Sequence, residues 1–198
     1  VYGGRVSDST AADYNAEGFV IAGGEAPGNI SRDNGLGFYT ALGTVSGNLA
    51  TGNANGGFRV IGGNVFSNTA TGNHYYGFKV TGGNVFDNTA TANYSYAFWV
   101  SGGNVSENDA SSNFGHGFVV LGGSVSLNIA SRNTGYAGFY VNGNGNVTNN
   151  AANYNQEGFI VESGYVMGSL ATYQNSSYGF ILNNDSVAIN ISGDRNKN

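Results

Sequence analysis

GGNVFSNTATGNHYYGFKVT (62–81), GGNVFDNTATANYSYAFWVS (82–101) and GGNVSENDASSNFGHGFVVL (102–121) follow one another without insertion. Each copy has 20 residues, and the same frame extends outward over nearly the whole 198-residue chain. A fixed period of this size is the signature of a stacked solenoid. Phe recurs at 19, 38, 58, 78, 98, 118, 139, 159 and 180, each behind a Gly except Phe98, which follows Ala97. Two residues on stand Ile21, Val60, Val80, Val100, Val120, Val141, Val161 and Leu182, with Thr40 breaking the pattern. A second apolar column runs Val6, Ala26, Val45, Val65, Val85, Val105, Val125, Val147, Val166, Val187. A third is small: Ala50, Ala70, Ala90, Ala110, Ala130, Ala152, Ala171. Within each repeat, apolar and polar residues alternate with period two, which is the strand period. The spacing predicts an all-β parallel β-helix: about 20 residues per rung, three short strands per rung, nine to ten rungs.

The corners carry their own chemistry. Gly-Gly pairs at 3–4, 23–24, 62–63, 82–83, 102–103 and 122–123 supply backbone freedom where the chain turns. The other corners carry Asn in columns, at 48, Asn68, Asn88, Asn108, 128, 150 and at 53, Asn73, Asn93, Asn113, 133, 155. Stacked about 4.8 Å apart, each amide can donate to one neighbour and accept from the other. An Asp column would set like charges at that spacing and cost roughly 1 kcal/mol per neighbour even in water. The Asn content thus follows from stacking without any ligand. Phe58, Phe78, Phe98 and Phe118 are expected to form the matching ring ladder inside. Tyr76, Tyr96, His116 and Tyr136 read as a further stack at one corner.

The GNxVxxNxAxxNxxGFxV cadence resembles the right-handed parallel β-helix repeats of the pectin-lyase-like superfamily, in particular the short Asn-rich repeats of its carbohydrate-binding and sugar-hydrolase domains. Right-handedness is what this resemblance implies. Enzymes of that superfamily act on polysaccharides through long loops and clustered Asp, Arg, Lys or His, whereas these rungs are nearly loopless.

Composition narrows the function. A net charge of −5 and a pI near 4.7 argue against a nucleic-acid partner. No apolar run of 18 residues is present, so no membrane-spanning helix is expected. The chain has no Cys, which removes disulfides and thiolate metal sites. Asp87 and Glu107 share a column with Asp109 nearby, and solvated acids are the simpler reading. His74 and His116 fall in different slots, so no catalytic residue, metal ligand or cofactor is assigned.

What remains is the outward slot between Phe and its apolar partner: Val20, Tyr39, Arg59, Lys79, Trp99, Val119, Tyr140, Ile160, Ile181. A contiguous apolar stripe on a solvated face marks an interface. The leading expectation is an extracellular or cell-surface structural protein that acts through this stripe, as a self-assembling filament or matrix subunit or an adhesin. The second is a polysaccharide-binding or polysaccharide-processing module using Tyr39, Arg59, Lys79, Trp99 and Tyr140. A third, ice binding, rests on the Thr-Ala-Thr segments at 69–71 and 89–91, and Leu49, Asp109 and Ile129 break their column. Asn-x-Ser/Thr acceptors occur at Asn29, Asn93, Asn104, Asn146, Asn175, Asn184 and Asn190. One β-helix domain is expected over 1–192, followed by a polar tail at 193–198. Val1 stands at the start of the first rung without a Met or signal peptide. That points to a processed secreted form or an excised piece, whose open ends could stack on other copies.

Overall fold

A computed structural model describes residues 2–175, 178–184 and 186–194. The placement of Val1 and of the tail beyond Asp194 lies outside the described residues. The fold is all-β, with parallel strands stacked as a solenoid of about nine turns and about 20 residues per turn. From the third turn each rung has three strands, as in Gly56–Val60, Asn64–Phe66 and Thr69–Thr71. They form a Phe strand, a Val strand and an Ala strand, each pairing with its counterpart one turn away. The Phe of one rung is opposite the Phe of the next, Val opposite Val and Ala opposite Ala.

Three expectations shift in detail. In the first two turns the Phe and Val strands run together as single 11-residue strands, Glu17–Pro27 and Leu36–Ser46. A register shift at Ala22 absorbs the corner there, and the two columns merge into one 16-stranded sheet. The Ala strands form a separate ten-stranded sheet. At the far end Val187 is not in the Val column. Val166 pairs with Ala188, while Val187 pairs with Tyr165 and is 45% exposed. A one-residue slip turns a side chain to the other face, and two adjacent apolar residues hid the slip. The last strand, Ser192–Asp194, pairs with Leu170–Thr172, so Gly193 and Asp194 belong to the array and not to a tail.

The core is one continuous cluster of Phe, Val and Ala from every turn. The nine Phe rings stack face to face, with centroids 4.6 Å apart at the closest pair and 4.9 Å at the widest. Seven of them, Phe38 to Phe159, are fully buried. Gly before Phe is dictated by the small side of the core. A Cβ on Gly77 would sit 2.7 Å from the Ala97 carbonyl and 2.8 Å from the Ala90 Cβ.

Both Asn ladders form, and they hold more than the sequence reading required. The Asn68 Nδ2 donates to Asn88 Oδ1 at 3.0 Å, to the Val45 carbonyl at 3.0 Å and to the Phe66 carbonyl at 2.9 Å. The Asn68 backbone N–H donates to the same Asn88 Oδ1 at 2.9 Å. One buried amide therefore answers both the ladder and two backbone carbonyls of the corner. The first ladder runs from Asn29 to Asn150 and ends on the Ser169 hydroxyl; the second runs from Asn15 to Asn155 and ends on Gln174. Each ladder Asn follows a residue in the left-handed region, and most of these are not Gly: Ser67, Asp87, Glu107 and Leu127 have φ between 53° and 58°. That geometry costs roughly 1–2 kcal/mol per residue, which the buried Asn amide beside it offsets.

A surface column as candidate functional site

The outward slot is one register column. Val20, Tyr39, Arg59, Lys79, Trp99, Val119, Tyr140, Ile160 and Ile181 stand in successive turns directly opposite one another. Strand pairing sets their pitch at about 4.8 Å. Each Phe strand beneath the column is anchored by the buried ring stack.

The column is less open than the sequence implied. Val119 is buried at 5% exposure and Tyr39, Trp99, Tyr140, Ile160 and Ile181 are half-buried. The cause lies in the corner aromatics, which fold over the sheet. Tyr96 meets Trp99 edge to face at 5.3 Å, and His116 stacks on Tyr140 at 5.5 Å. Val119 stands between Trp99 and Tyr140 in the column. Tyr96 and His116 do stack, at 5.9 Å. Tyr76 does not continue their stack: it lies against Gly56, where a Cβ would come within 2.4 Å of its ring, and meets Tyr75 edge to face.

Two cations sit on this surface. The Arg59 guanidinium lies over the Tyr39 ring at 5.6 Å, and the Lys79 ammonium over Trp99 at 5.7 Å. Such contacts hold a cation on a flat face without a counter-charge. Among the described residues neither cation pairs with a carboxylate; the ion pairs there are Arg5–Glu25 and Arg32–Asp33. Burial raises the Tyr76 phenol above its ordinary pKa, with the Arg59 charge acting in the opposite direction. Burial also holds His116 below the usual imidazole value, and its Nδ1 accepts the Ala137 N–H at 3.0 Å. Its ring is thus neutral at pH 7 and packs as an aromatic plate.

The other candidates separate in space. Asp87 takes a hydrogen bond from the Ser67 hydroxyl at 2.8 Å on a corner, and Asp109 lies on an Ala strand. No group of three His, Asp or Glu residues that could hold a metal occurs among the described residues. His74 and His116 belong to different columns, as expected. Thr69 and Thr71 pair with Thr89 and Thr91, but Leu49 and Asp109 flank them in the outer column. Two glycosylation motifs fall on ladder residues, since Asn29 and Asn93 are fully buried, while Asn104 and Asn146 are exposed.

One feature the sequence reading passed over is a second aromatic column, right after the second ladder. His74 stacks on Tyr94 at 5.4 Å and Tyr94 on Phe114 at 5.1 Å. The signal was present, as a ring one residue after Asn73, Asn93 and Asn113, but it spans only three turns. Tyr94 and Phe114 are 59% and 58% exposed, whereas the aromatic members of the first column, Tyr39, Trp99 and Tyr140, are half-buried. No helix is long and apolar enough to cross a membrane among the described residues. No family model, curated protein or solved structure matches the chain.

Proposed function

We propose that the protein is an extracellular structural β-solenoid of the pectin-lyase-like kind that works through its surface, as a filament or matrix subunit or as an adhesin. The observation that carries this reading is the run Trp99, Val119, Tyr140, Ile160, Ile181, half-buried except for the buried Val119, an unbroken apolar strip over five turns of one sheet. Half-exposed apolar side chains on a preorganised surface lose little conformational freedom on contact, so the area they bury converts efficiently into association. Sedimentation velocity over a range of concentrations tests it. Assemblies should form and should be weakened about tenfold by Ile160→Lys, which sets a charge within the strip. A wild-type chain that stays monomeric at high concentration, with no partner retained on the strip, would sink the reading.

The cation–π pairs favour a second reading, recognition of an acidic polysaccharide. Arg59 and Lys79 stand on adjacent turns, each over a ring that could carry a sugar face. Binding to a panel of acidic glycans that survives Lys79→Ala and Trp99→Ala would remove this surface from consideration.

A further inference from the structure

The column that follows the second Asn ladder reads Ala16, Gly35, Ala54, His74, Tyr94, Phe114 over six successive turns. Its first half has almost no side chain, and its second half is a ridge of three stacked rings. The small half is a recess of about 510 Å³, walled at one end by His74 and along one side by Tyr14 and Asp33. Ridge and recess thus have the same length, three turns each, and the same pitch.

We propose that this corner is a self-complementary docking surface for a second copy of the chain. The operation is a two-fold axis lying in the contact plane, perpendicular to the solenoid axis, between the turns of Ala54 and His74. It reverses the second copy, so that Ala54 faces the other copy's His74, Gly35 its Tyr94 and Ala16 its Phe114. Each ridge fills the other's recess, which is the isologous, closed contact that a two-fold requires. The flanking column agrees. It carries Tyr14 and Asp33 beside the recess and Ala92 and Ser112 beside the ridge, so each bulky side chain faces a small one. Its charges raise no conflict, because Asp33 is already paired with Arg32 at 3.5 Å. Tyr94 and Phe114 keep 59% and 58% of their surface exposed, roughly 90–150 Å² each of the area an aromatic can bury, and with His74 and a matching trough on either copy they place the contact at the small end of the specific range. The dimer is reversible, and it is separate from the apolar strip on the Phe sheet.

This inference rests on the reading that the protein acts by self-association, and the test keeps the two apart. In sedimentation equilibrium on the full chain, Ala54→Trp should raise the dimer dissociation constant about tenfold by filling the recess. Asn84→Trp, on the Val strands, should leave it unchanged. The chain has no Cys, so cross-linking is clean. A mixture of Ala16→Cys and Phe114→Cys chains should oxidise to the mixed dimer, with little of either homodimer. A dimer untouched by Ala54→Trp, or one that cross-links through Phe114→Cys alone, overturns the inference. Assembly lost with Ile160→Lys but kept in Ala54→Trp overturns this corner and leaves the strip standing. A strictly monomeric wild-type chain overturns both.

Discussion

The turns between Gly62 and Leu121 and those between Gly122 and Ala171 are built from the same parts at different lengths. In the first region every ladder step is 20 residues; in the second the step from Asn128 to Asn150 is 22 and the next, to Ser169, is 19. The ladder does not register the change. Asn128 Nδ2 reaches Asn150 Oδ1 at 3.0 Å, the same distance as Asn88 to Asn108. The Phe rings also continue, at 4.7 Å from Phe118 to Phe139. Added residues are taken up in the exposed corners around Gly135 and Gly143, where backbone can loop outward without disturbing the inside. The regular period is therefore a consequence of the fold's inner contacts and not their cause.

Four substitutions put pressure on that conclusion, in falling order of effect. Asn88→Asp keeps the shape of a ladder residue and removes its side-chain donors, taking one hydrogen bond each from the Val65 and Phe86 carbonyls and from Asn108 Oδ1 and setting a buried carboxylate against them. A loss of about 3–5 kcal/mol is expected. It should be smaller near pH 3.5 than at pH 7, since burial raises a carboxyl pKa and the protonated form is tolerated best. Denaturant melts at the two pH values read both, and a melt unchanged at pH 7 would show that the ladder is ornamental.

Phe98→Ala should cost about 3–5 kcal/mol, because that ring is fully buried between two others. Phe180→Ala should cost roughly half as much, since its ring is half-buried and stacks on Phe159 with no described ring beyond. Equal losses would mean that the end of the ring column is covered by something else. Thr40→Val should go the other way. The Thr40 hydroxyl is buried in the apolar column with no partner among the described residues, and Val restores the side chain found at Val60 and Val80. A gain of about 1 kcal/mol is expected in a thermal melt, and no gain would point to an unseen partner for that hydroxyl.

The inner contacts were legible because they repeat. Phe, Val, Ala and Asn each recur in a slot where stacking permits little else, so one chain carries many independent copies of the same evidence. Legibility failed where a slot holds two defensible residues, as with Val187 and Ala188, or where a corner is spelled differently, as with Ala41-Leu42-Gly43 in place of Gly-Gly. The candidate site was half legible. Its members and their order follow from the period, but their exposure does not, because it depends on how Tyr96 and His116 lean across the sheet. The ridge at Tyr94 and Phe114 escaped because three turns of a six-turn column are too few to read as a pattern.

The Asn ladders have one more property. From Asn68 to Asn150 in one row and from Asn73 to Asn155 in the other, each ladder Oδ1 faces the preceding turn and accepts both the backbone and the side-chain N–H of the Asn there. Backbone donors, by contrast, point up and down the stack: Thr69 donates to Asn48 in the turn before, and Ser67 to Phe86 in the turn after. The backbone contributions thus cancel while the two rows of side-chain dipoles add, each polarising the next. The solenoid is an electrical arrow that runs along its own length. Two such arrows lying flank to flank attract when they point in opposite senses.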